Sequence, residues 1–203
     1  RLMMHAPGTY QHSLMVANFA EAAAEAIGAN AILCRVGSYF HDIGKLKRPI
    51  FFSENQFSKE NPHNSMTPRI SKMIIISHVK EGLELAKKHH LPDLILDIIA
   101  QHHGTSLLSV FYTQAIQKDT SQDDESFRYP GPKPQSKEAG ILMLADSVEA
   151  STRALEKPSP QTIESTIENV FKSKLDDHQL SECPLSMNEI FLIKSTFLYL
   201  FKG

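Results

Sequence analysis

Apolar residues recur at helical spacing along nearly the whole chain, and no stretch shows the strict alternation of a half-buried strand. That single property confines the chain to an all-α fold. Tyr10, Leu14 and Ala17 lie on one face of an Ala-rich segment, and Gly28 is placed to end it. Asn30 can cap a second helix running through Leu33, Val36, Phe40 and Ile43 to Gly44. The pattern from Pro68 towards His78 and on through Leu83, Leu85 and Ala86 reads as two helices. Pro92 and Asp93 open another, carrying Leu96, Ile99 and Ala100, which stops at Gly104. Ser136 starts a helix through Ile141, Leu144, Ala145 and Val148, Pro160 opens the next at its first turn, and Asn188 caps the last.

Two stretches interrupt this pattern. Residues 47–67 hold Pro49 and Pro62 but also Phe51, Phe52 and Phe57, and residues 118–137 end in Tyr-Pro-Gly-Pro-Lys-Pro at 129–134. Loops this long within a compact domain are usually functional. His-bearing helical segments lie on both sides of each, so residues 1–203 are expected to form one domain, a helical bundle with long loops around its site.

The balance of 23 acidic against 21 basic residues argues against a DNA or RNA duplex as partner. The most apolar stretch, 190–201, is short and broken by Lys194, Ser195 and Thr196, well under the roughly 18 residues a membrane span needs. The chain starts at Arg1 with no signal-peptide pattern, and the missing Met suggests a piece of a longer polypeptide. Two cysteines cannot form a disulfide framework; Cys34, in an apolar helical pattern, reads as a buried thiol and fits an intracellular setting.

Ten histidines are the oddity of the composition. His5, His63, His89, His90 and His178 lie at helix ends or in polar stretches and read as solvated or capping groups. His12, His41, His78, His102 and His103 lie within apolar helical patterns, where each buried ring needs a partner. A shared metal centre would satisfy several at once. The most specific string is His41-Asp42-Ile43-Gly44-Lys45. It supplies an imidazole and a carboxylate, ligand types suited to Mn, Fe or Zn. On a continuous helix the two would differ by about 100°, facing one cleft but not one point. The two oxygens of Asp42 could bridge two cations, and Lys45 stands where its ammonium can reach the same cleft. His102-His103 either converge on the site or only complement a helix C-terminus. Asp146, in an apolar run, would be costly to bury without a cation. Arg153 either pairs with Glu149 and holds the helix or reaches a substrate phosphate; the pairing is slightly favoured. By themselves these five His and two Asp could bind one or two cations.

The ordered set His12, His41-Asp42, His78, His102-His103 and Asp146 resembles the HD-domain metal-dependent phosphohydrolases, in the seven-ligand pattern of their dinuclear branch. The HD-GYP signature is absent, because Gly-Thr-Ser-Leu-Leu follows His102-His103. Gly-Thr-Tyr-Gln-His-Ser at 8–13, the late Tyr-Pro-Gly-Pro and Leu-Ala-Asp-Ser-Val-Glu-Ala at 144–150 are similar to the seven-transmembrane HD family. The resemblance covers essentially the whole chain.

It implies that His12, His41, Asp42 and Asp146 hold one ion, and that Asp42 bridges to a second held by His78, His102 and His103. Two divalent transition-metal ions, Mn or Fe, would serve a phosphodiesterase that opens cyclic di-AMP to linear 5′-pApA by in-line attack of a bridging hydroxide. Asp42 and Lys45 are the implied catalytic residues, with Lys45 and Arg153 candidates for binding the substrate. The parent protein would be anchored in the plasma membrane with this domain on the cytoplasmic side. Phe51, Phe52, Phe57, Phe127 and Tyr129 are available to stack on a base or to tether their loops. The alternatives are an HD-GYP-like cyclic di-GMP phosphodiesterase or nucleotidase, and a non-catalytic nucleotide-sensing module; a degenerate sensor would be expected to lack a ligand.

Overall fold

The computed structural model describes residues 1–56 and 60–202. Among them no strand forms, and the one bridge joins Leu107 to Arg128. The short α1 (Leu2–His5) leads into α2 (Pro7–Ile27). Pro7 opens that helix where its missing N–H costs nothing, and Gly28 closes it at φ 69°, a conformation other residues resist. Asn30 caps α3 (Ala31–Phe40) by accepting the Leu33 N–H.

Here the structure departs from the periodicity. α3 stops at Phe40, His41 is its C-cap, and the chain turns at Asp42 into a 3-10 segment, Ile43–Lys47. The turn brings the backbone of Gly44 onto α4 (Pro68–Lys88), where a methyl group on Gly44 would overlap the carbonyl of His78. α4 is itself one continuous helix instead of two, capped by Thr67. Gly82 does not break it, but lies against Gly44 as the other half of this contact.

α5 (Asp93–Gln101) ends just before His102-His103, and α6 (Ser109–Lys118) forms in a stretch to which the sequence assigns no particular element. No side-chain cap marks the start of α6, and its ten residues mix β-branched, aromatic and polar types, so the sequence carries little signal for it. α7 (Lys137–Arg153) and α8 (Pro160–Asp176) are capped by Ser136 and Ser159. α9 (Met187–Leu200) starts earlier than expected. Ser186, not Asn188, caps it, and Glu189 returns a carboxylate to the Ser186 N–H as a capping box. Residues 47–67 fold partly as 3-10 turns at Pro49–Phe51, Ser53–Asn55 and Pro62–Ser65. Phe57 lies outside the described residues.

α2, α7, α8 and α9 enclose the larger core, where Val16, Ala20, Leu144, Val148, Ile167 and Ile193 are fully buried. Each large aliphatic side chain there contributes about 1.5–3 kcal/mol. A smaller cluster of Ile43, Ala86, Ile95 and Ile99 packs α3, α4 and α5 together. The polar site draws residues from the elements around both.

Candidate metal centre

His12 projects from the buried face of α2, Asp146 from α7 and His78 from α4, while His41-Asp42 and His102-His103 occupy the turns that end α3 and α5. All but His103 are less than a tenth exposed. The turn at Asp42 answers the problem that a helix would pose. Its carboxylate stands between two sets of imidazoles, with Oδ2 3.5 Å from His12 Nε2 and 3.3 Å from His41 Nε2. Oδ1 lies 3.3 Å from His78 Nε2 and 3.7 Å from His102 Nε2. Asp146 Oδ1 is 3.0 Å from His12 Nε2 and 3.7 Å from His41 Nε2, and its Oδ2 is 3.7 Å from His103 Nδ1. Two groups could therefore hold a cation each: His12, His41, Asp42 and Asp146, and Asp42, His78, His102 and His103. All seven residues suggested by the sequence come together, and Asp42 belongs to both groups.

The hydrogen bonds of the rings test whether cations fit. His41, His78 and His102 each point Nδ1 at a backbone carbonyl, those of Ser38, Ile75 and Ile99, at 2.7, 2.6 and 2.8 Å. A carbonyl only accepts, so Nδ1 carries the proton and Nε2 presents a lone pair. His12 Nδ1 faces the Glu149 carboxylate with the same result. The Nε2 atoms of His78 and His102 thus meet at 3.3 Å as two acceptors, and His12 Nε2, His41 Nε2 and Asp42 Oδ1 are buried without a hydrogen-bond partner. So many converging acceptors fit divalent cations and little else.

The electrostatics of the two groups differ. Burial opposes a charged imidazole at His41, but Asp42 and Asp146 outweigh it and lift its pKa to about 10 in the absence of a cation, when a proton holds the Nε2 position that a cation would take. His12 is also raised, burial being overcome by Asp146 and Glu149. His102 and His103 are pushed down by burial and by neighbouring imidazoles. Asp42 stays well below the usual carboxylate range because Lys45 and His41 outweigh its burial. Lys45 Nζ is 2.7 Å from both Asp42 Oδ2 and Glu54 Oε1, and it lies 4.9 Å from the centre of the Phe52 ring. Those two carboxylates raise its pKa against burial, keeping the ammonium charged.

Arg153 lies on Glu149, Nε to Oε1 at 3.1 Å, so Arg153, Glu149 and His12 form a relay that fixes the His12 ring. Glu149 was legible only as a helical partner of Arg153. Glu54 gave no sequence signal, being one acid in a polar stretch, yet it completes the Lys45 site and accepts from Thr9. Phe52 stands edge-on to His78, and Tyr129 stacks on His103 at 4.2 Å. Phe127 is wholly buried against Tyr112 and is a tether with no face for a base. Phe51 packs on His63 at the wall of a cavity of about 740 Å³ next to Glu54. A second cavity, of about 490 Å³, opens from His103 and Asp146 towards α8.

A profile of the HD domain matches residues 9–151. The chain is 49% identical over 203 residues to the cyclic-di-AMP phosphodiesterase PgpH of Bacillus subtilis (strain 168), which covers 100% of this chain and 29% of that protein. It is 46% identical over 203 residues to PgpH of Listeria monocytogenes serotype 1/2a (strain 10403S), covering 100% of this chain and 28% of that protein. The chain thus spans under a third of the length of these curated relatives. The crystal structure of the L. monocytogenes PgpH HD domain in complex with cyclic-di-AMP matches with a TM-score of 0.97 at 46% identity, over 100% of this chain and 94% of that one. With the paired His41-Asp42 inside the matched span and the whole fold shared, the chain belongs to the HD domain family.

Proposed function

We propose that this chain is the catalytic domain of a dinuclear-metal phosphodiesterase that hydrolyses cyclic di-AMP to linear 5′-pApA. The observation that carries this reading is the Asp42 carboxylate, whose two oxygens face two separate sets of imidazole lone pairs. The likeness to relatives named for cyclic di-AMP supports the choice of substrate. His12, His41, Asp42 and Asp146 would hold one ion, and Asp42, His78, His102 and His103 the other, with Mn or Fe suited to these nitrogen and oxygen donors. Such ions supply Lewis acidity towards the phosphate oxygens and ease the deprotonation of water near neutral pH.

The chain's own groups do the rest. Lys45 has three N–H donors, two of them engaged by Asp42 and Glu54, and the third can donate to a phosphate oxygen as charge builds there. Glu149 holds the His12 tautomer that keeps Nε2 turned inwards. The Tyr129 phenol, its pKa raised by burial, stays protonated and covers one face of the His103 ring. Water adds to phosphorus, the bond to the ribose 3′ oxygen breaks, and the product carries a 5′ phosphate and a 3′ hydroxyl. The non-catalytic sensor reading is not favoured, because every one of the seven side chains is present and convergent.

No described helix is long and apolar enough to cross a membrane. Attachment to a membrane-anchored parent, with this domain on the cytoplasmic side, is supported by the resemblance and by the short share of the relatives that the chain spans. Incubation of the purified chain with Mn and each cyclic dinucleotide, followed by chromatography, should yield 5′-pApA from cyclic di-AMP. Faster cleavage of cyclic di-GMP would overturn the choice of substrate.

A further inference from the structure

A cyclic dinucleotide carries two phosphodiesters on one ring. If the metal centre takes the scissile one, the other is still an anion, and removing it from water without a counter-charge is costly. The cavity that opens beside His103 and Asp146 is about 490 Å³ and is lined further by Tyr129, Ser106, Asn169 and Lys174. Among the residues described as lining it, Lys174 carries the only ammonium or guanidinium. Other cations nearby are already engaged. Lys45, held by Asp42 and Glu54, has its remaining N–H assigned to the scissile phosphate, Arg128 lies between Asp124 and Asp177, and Arg153 lies on Glu149. Lys174 is half-buried, and its ammonium donates to a neutral group, Ser106 Oγ at 2.8 Å. Burial lowers the pKa of Lys174, while Asp146 and Asp177 act to hold it up without forming an ion pair with it.

We infer that Lys174, with Ser106, binds the second, non-scissile phosphate of the cyclic dinucleotide and so selects substrates that carry two phosphodiesters. Lys174 comes from α8, outside the 9–151 span matched by the HD profile, so this selectivity is an addition to the family's metal site. The inference rests on the function proposed above, and the test separates the two. Lys174→Met and Lys174→Arg are compared with the parent chain on cyclic di-AMP and on bis(p-nitrophenyl) phosphate, a diester with a single phosphate.

Lys174→Met should raise KM for cyclic di-AMP about ten- to a hundredfold, as expected for loss of a charge-assisted hydrogen bond, with little change in kcat. It should weaken equilibrium binding of 5′-pApA by a similar factor. Its kcat/KM on the single-phosphate diester should be unchanged, which also shows that the variant folds. Lys174→Arg should recover most of the loss. Equal losses on both substrates would overturn the inference, placing the effect at Asp146, and so would no loss on either. A parent chain that cleaves bis(p-nitrophenyl) phosphate but not cyclic di-AMP would overturn the proposed function, and this inference with it.

Discussion

The two donor groups that share Asp42 have different kinds of support. His12 and Asp146 stand on long helices of the larger core, and His12 is oriented by a side chain, Glu149, which Arg153 holds in turn. His78 and His102 lean on carbonyls of their own helices, and His103 rests on the Tyr129 ring. The first group contains two carboxylates and two imidazoles, the second one carboxylate and three imidazoles. The raised His12 and His41 and the lowered His102 and His103 report the same contrast, since negative potential gathers on the first side. A cation should therefore be held more tightly in the first group, while His41, His78 and His102, each anchored on a carbonyl of its own helix, are better protected against loss of orientation than His12 or His103. Backbone carbonyls cannot be deleted by substitution.

Removing the shared member should have the largest effect. Asp42→Ala should lower hydrolysis by roughly a thousandfold or more, because it strips both groups of a ligand. Circular dichroism should show the helices intact, and near-normal turnover would break the idea of a shared centre. The two sides should then separate under single substitutions. His78→Ala should still bind one transition-metal ion per chain, and His12→Ala should bind its remaining ion more weakly, both read by metal analysis during chelator titration against a parent holding close to two. The reverse order of affinities would invert the comparison. A smaller effect belongs to the relay. Glu149→Gln should cost about 10- to 100-fold in metal affinity or activity, the usual scale for a residue that orients a ligand. If the loss falls on the ion of the His78 side instead, Glu149 does not act through His12.

Much of this was legible in the sequence, for reasons the structure explains. Ligands inside apolar helical patterns stand out because burial makes an unpaired His or Asp expensive, and His12, His78 and Asp146 were found that way. Gly28, Asn30, Ser136 and Pro160 act at helix ends as their local chemistry suggests. What escaped depends on contacts between distant segments. The early end of α3 at Phe40 goes with the close approach of Gly44 to α4, a contact that no periodicity encodes. Glu54 meets Lys45 only because residues 47–56 fold back over the site. Lys174 looks like any surface lysine on an amphipathic helix until α8 is packed against the turn at Ser106.

The contact of Gly44 with α4 has a consequence for the choice of ion. It joins the segment that follows Asp42 to the stretch of helix that bears His78, main chain against main chain, with no side chain between to change rotamer. The span from Asp42 to His78 then acts as a fixed gauge, while His103, partly exposed and held by a ring face, is free to adjust. Ions of unequal radius would be accommodated at the mouth and not across the bridge. Discrimination then falls to the kind of donor atom and to charge, with the size of the cage contributing least.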